Sequence, residues 1–136
     1  MTEQLTDSER HYVDKLITEI GPRMIRAKTC WRSAQLLMQH DEGREKRLRY
    51  WESGRPIQHA WVTINGKVVD VTDEAVARKC KRMKIAHTCH DYSQGVEIAW
   101  AAVLENMLRT KEHGPVVDWD GQLRAEIIAV RDGVAA

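Results

Sequence analysis

The chain has 136 residues, which suits one domain (1–136) with a proper core. Hydrophobic residues make up 43% and charged residues 30%, ordinary for a globular protein, and a formal charge of +1 gives no global reason to expect nucleic acid or a membrane surface. The polar start MTEQLTDSER is unlike a signal peptide, and no apolar run approaches a membrane span. Three cysteines make no even disulfide framework, so a reducing cytoplasm is the expected setting.

Taken in chain order, Thr6 followed by Glu9 is a capping-box pattern and predicts a helix running to about Ile20. Its apolar face is Tyr12, Val13, Leu16, Ile17 and Ile20, and Gly21-Pro22 ends it. A second helix is predicted from Cys30 to about His40, with Trp31, Ala34, Leu37 and Met38 inward. Residues 47–52 read as a strand and Ser53-Gly54-Arg55-Pro56 as a turn. Two further strands, 57–64 and 68–72, flank Asn65-Gly66. Helices are predicted over 73–83, over 95–109 with Val96, Ala99, Trp100, Val103 and Met107 on one face, and over 121–130. Two helices, an antiparallel meander and then helices make an α+β layout.

The Asn65-Gly66 pair is a strong signal for a two-residue type I′ turn, because both positions need positive φ. In that register Ile64 faces Lys67, Trp61 faces Asp70 and His59 faces Thr72. His59, Trp61, Asp70 and Thr72 then share one face of the sheet. Asp70 becomes the diagonal neighbour of His59, about 7–8 Å away along the backbone. A carboxylate so placed accepts from one imidazole nitrogen and leaves the other free for a third group.

The candidate third group is Cys30, at the predicted start of the second helix. A cysteine there meets the positive end of the helix dipole and unpaired backbone N–H groups, and Lys28 and Arg32 add positive charge; all favour a thiolate. Acyl transfer needs a thiolate, a proton-handling imidazole and a group that fixes the imidazole's tautomer. Cys30, His59 and Asp70 supply those types in that order. Trp31, Trp61 and Glu52 are candidates for the substrate cleft, although Trp61 also suits a sheet core and Glu52 an exposed strand end.

Cys30-Trp31, then His59-Ala60-Trp61, then Val69-Asp70-Val71-Thr72 resembles the transglutaminase-like branch of the papain-like cysteine enzymes. The stretch RYWESG and the later YSQGVEI are similar to segments of compact bacterial and phage-encoded proteins of this kind. The resemblance covers residues 28–98, a little over half the chain. It implies a nucleophile helix packed on a small antiparallel sheet, with extra N- and C-terminal helices here. It also implies a Cys30-His59-Asp70 triad acting without a cofactor on an amide- or peptide-containing substrate. Papain-like peptidases place a glutamine six residues before the nucleophile, and this chain has Met24 there, so the backbone N–H of Cys30 is the one oxyanion donor the sequence names. The chain has no room for the extra domains of calcium-dependent transglutaminases.

Three other readings stay open. Cys80, His87, Cys89 and His90 are possible zinc ligands, but their spacing matches no usual zinc pattern. Arg44, Lys46, Arg47 and Arg49 lie beside Tyr50 and Trp51, and a second basic run covers residues 78–84; a basic stripe with aromatics suits single-stranded nucleic acid. A papain-like scaffold without catalysis, serving as a protein- or nucleic-acid-binding module, is the third.

Overall fold

In the computed structural model the described residues are 3–24, 29–55, 57–88, 90–131 and 133; Lys28, Pro56 and Cys89 lie outside them. Thr6 caps the first helix, α1 (Asp7–Ile20), through the expected box. Its hydroxyl accepts from the Glu9 N–H at 3.1 Å, and Glu9 accepts from the Thr6 N–H at 2.7 Å. The Glu9 carboxylate also receives Lys67 Nζ at 2.8 Å and Asn65 Nδ2 at 2.7 Å, so the cap is tied to the hairpin turn. The Lys67 contact first, then the Thr6 N–H and Asn65, hold the Glu9 carboxyl down to about 2. Gly21 ends α1 at φ 98°, and a short 3-10 turn, Pro22–Met24, follows.

The second helix, α2 (Cys30–Glu42), buries Ala34, Leu37 and Met38 and leaves Trp31 half-buried. Near its end, buried Asp41 accepts from the N–H groups of Arg47 and Leu48, both at 2.9 Å, and from the Tyr12 hydroxyl at 2.5 Å. One carboxylate thus joins α1, α2 and the start of strand β1 (Leu48–Ser53).

Strands β2 (His59–Ile64) and β3 (Lys67–Val69) form the expected hairpin, and β4 (Val96–Ile98) pairs with β1. The sheet is antiparallel, in the order β3-β2-β1-β4. Ala60, Val62 and Ile64 join Leu48, Tyr50, Val69 and the buried side chains of α1 and α2 in one core. Every residue of β2 is buried, so both faces of the central hairpin strand are covered. The remaining helices are α3 (Val71–Met83), α4 (Trp100–Thr110) and α5 (Trp119–Arg131). Among the described residues no helix is long and apolar enough to cross a membrane.

Two boundaries differ from expectation. The β3 ladder stops at Val69 instead of continuing to Thr72, because Asp70 turns the chain into α3. The predicted helix over 95–109 is a strand followed by a helix: Val96, Glu97 and Ile98 pair with Glu52, Trp51 and Tyr50, and α4 starts only at Trp100. Open ladder positions on β1 outweighed the helical spacing of the apolar residues.

Glu52 also departs from the expected exposed strand end. Its side chain is fully buried and accepts from the Tyr50 hydroxyl at 2.6 Å, the Val116 and Val117 N–H groups at 2.9 and 3.2 Å, and the Trp119 indole at 3.2 Å. The Trp119 ring lies so close to Gly54 that a Cβ there would meet it at 2.6 Å. Glu52 is therefore the post that fastens the segment before α5 to the sheet. Glu52→Ala strands several buried donors, each costing about 1–3 kcal/mol, so it is expected to lose on the order of 3 kcal/mol or more in urea unfolding. A loss under about 1 kcal/mol would contradict this role.

Candidate active site

Asn65 and Gly66 have φ of 51° and 76°, the positive pair that a type I′ turn requires, and Ile64 pairs with Lys67 and Val62 with Val69. Continuing that register sets Asp70 opposite Trp61 and diagonal to His59. The His59 Nε2 to Asp70 Oδ2 distance is 2.5 Å, and both side chains are buried. Asp70 Oδ1 accepts from the Asp73 N–H at 3.0 Å and so caps α3. Asp70 Oδ2 also accepts from the Tyr92 hydroxyl at 2.8 Å.

With Nε2 engaged, Nδ1 is the imidazole nitrogen left for Cys30, which lines the same cavity as His59. Burial alone would push the His59 pKa down. The hydrogen bond His59 donates to Asp70, then the neighbouring Cys30 and the charges of both, outweigh burial and hold it up to about 9 against an ordinary 6.5. Of the three residues expected to form a triad, His59 is thus bonded to Asp70 and has Cys30 as a neighbour. Cys30 and His59 line a cavity of about 640 Å³ together with Trp31, Ile57, Val76 and His90.

Of the three cleft candidates, Trp31 alone lines this cavity. Trp61 is buried, its ring 6.0 Å from His59 and edge-on to Tyr92 at 4.9 Å, where it supports the site from within. Glu52 anchors the chain as described above and does not reach the cavity.

Two neighbours of the pair differ from the sequence reading: His90, named there only as a possible zinc ligand, and Tyr92, given no site role. Both lie on the strap between α3 and β4, described over residues 84–88 and 90–95. The His90 ring is 4.3 Å from that of His59, and its Nε2 is 3.3 Å from Ser53 Oγ. Burial, then the neighbouring His59 charge, push the His90 pKa below its usual value. Gly95 lets the strap lie against Trp61, since a Cβ there would meet the ring at 2.4 Å. The only available signal was the i, i+2 spacing of His90 and Tyr92, which sends both side chains to one side of an extended segment.

No protein-family model, curated protein or solved structure matches this chain. Its reading therefore rests on geometry. Among the described residues no three His, Cys, Asp or Glu side chains are grouped to hold a metal ion. Of the zinc candidates, His87 Nε2 is 3.1 Å from Asp73 Oδ1, His90 packs on His59, Cys80 is half-buried and free, and Cys89 is outside the described residues. The aromatics beside the first basic cluster are also committed. Tyr50 is fully buried, and the Trp51 indole donates to Thr63 Oγ1 at 2.9 Å. Arg47 lies over the Tyr12 ring and Arg49 pairs with Glu97 at 3.1 Å.

His59 binds its proton more tightly folded than unfolded, so its contribution to stability is complete below about 6.5 and is lost as pH rises through about 9. Urea unfolding between pH 6 and 10 is expected to show stability falling over that window. His59→Gln should be less stable at pH 6 and flatter with pH; parallel curves for the two proteins would refute the assignment.

Proposed function

We propose that this protein is a cysteine-dependent acyl-transfer enzyme, of amidase or peptidase type, on a compact transglutaminase-like version of the papain-like fold. The observation that carries the proposal is a His59 bonded to buried Asp70 and sharing the wall of one cavity with Cys30, in nucleophile, base and orienter order.

The chemistry follows from those positions. The Cys30 thiolate of a thiolate–imidazolium pair attacks the acyl carbon of an amide. The developing oxyanion accepts from the Cys30 N–H, which has no acceptor within α2 because it lies in the helix's first turn. The His59 imidazolium gives its proton to the leaving amine, the C–N bond breaks, and a thioester remains on Cys30. Neutral His59 then takes a proton from water, or from an acceptor amine, as that group attacks the thioester; Cys30 leaves and the pair is restored. Asp70 holds the ring in its tautomer throughout and favours its charged form. Trp31, Ile57 and Val76 offer an apolar wall, and the size of the cavity suits a small amide or an exposed flexible peptide better than a folded protein surface.

Iodoacetamide labelling of the native protein from pH 5 to 9, mapped to each cysteine, tests the proposal without a known substrate. Cys30 is expected to label at least about tenfold faster than Cys80 at pH 5–6 and to lose that advantage in His59→Ala. Cys30→Ala should abolish turnover of any substrate found while leaving the unfolding midpoint within a few degrees. Equal labelling of Cys30 and Cys80 across the range would remove the basis for an activated nucleophile.

A further inference from the structure

We propose that Tyr92 is a positioning residue that sets how strongly Asp70 holds the charged form of His59, a role that deepens and rests on the acyl-transfer reading. Tyr92 OH and His59 Nε2 both donate to the same oxygen, Asp70 Oδ2, at 2.8 and 2.5 Å, while Oδ1 is taken by the Asp73 N–H. A carboxylate that shares its charge among more donors attracts each of them less. Tyr92 therefore moderates the pull of Asp70 on the imidazolium. The same ring must give up a proton to the leaving group and take one back from water, so neither form should be held too tightly.

The contact is built into the fold. The Tyr92 ring packs edge-on against Trp61 at 4.9 Å and His90 at 5.0 Å, and Gly95 keeps the strap close to the sheet. The hydroxyl so held donates to Asp70, and the carboxylate is gripped by β2, α3 and the strap together. The titratable groups around the pair are Cys30 of α2, Asp73 of α3, and His90 and Asp91 of the strap. Asp73 is paired with His87. Tyr92 is the only one of the strap's groups shown donating directly to Asp70 among the described residues.

Tyr92→Phe keeps the ring and removes the donor. In that variant the His59 pKa, followed by NMR of the imidazole Cε1–H, is expected to rise by about half a unit or more. The alkaline inflection of Cys30 labelling by iodoacetamide should move upward with it. Site-specific 3-fluorotyrosine at position 92, a more acidic phenol and a stronger donor, should move both in the opposite direction. A lower unfolding midpoint with an unchanged His59 titration would make Tyr92 a packing residue and overturn the proposal, as would shifts of the same sign in both variants. The NMR titration also separates the two readings. If wild-type Cys30 labels no faster than Cys80, the enzymatic reading fails, while the His59 shift in Tyr92→Phe still decides whether Tyr92 tunes the pair.

Discussion

The register of one hairpin decides whether His59 and Asp70 meet. His59 reaches Asp70 because a two-residue turn joins their strands, and a slip of one residue would send the two side chains to opposite faces. The turn is held by more than its own backbone preference. Asn65 and Lys67 both donate to Glu9, the residue that closes the capping box of α1. The same carboxylate thus finishes a helix and pins the turn. At the other end of the hairpin, the buried His59–Asp70 bond is itself a second clamp on register.

Several residues near the site serve structure and chemistry at once, which limits how each can change. Asp70 orients His59 with one oxygen and caps α3 with the other, so the imidazole and the helix start are fixed relative to each other by a single side chain. The end of β1 works similarly. Glu52 secures the segment before α5, Ser53 meets His90, and Gly54 makes room for Trp119. Three consecutive residues therefore hold two distant parts of the chain against the sheet, one of them the strap that carries His90. Buried carboxylates without a full cationic partner, such as Glu52 and Asp41, are tolerated because backbone N–H and hydroxyl donors surround them.

The features legible in the sequence were those with short-range causes. The capping box at Thr6, the Asn65-Gly66 turn and the apolar spacing of α1 and α2 are each determined within a few residues, and the His59–Asp70 contact follows arithmetically from the turn. What stayed hidden depends on partners far away in the chain. Glu52 looks like any strand-end carboxylate until residues more than sixty positions later donate to it. Val96–Ile98 carries helical spacing, and only the vacant edge of β1 makes it a strand. His90 and Tyr92 sit in an irregular segment where their i, i+2 spacing is the one signal to read, so their convergence on His59 and Asp70 appears only once the strap is folded over the sheet.

The two histidines in the site show how a small difference in surroundings divides labour. With ring centroids 4.3 Å apart, His59 and His90 cannot both be charged without strong repulsion. His59 has a buried carboxylate on Nε2, whereas among the described residues the Nε2 of His90 meets the neutral hydroxyl of Ser53. The proton therefore goes to His59, and its charge in turn helps keep His90 neutral. The outcome is one imidazolium next to Cys30 and one uncharged ring lining the same cavity, an arrangement set by which histidine the hairpin delivers to Asp70.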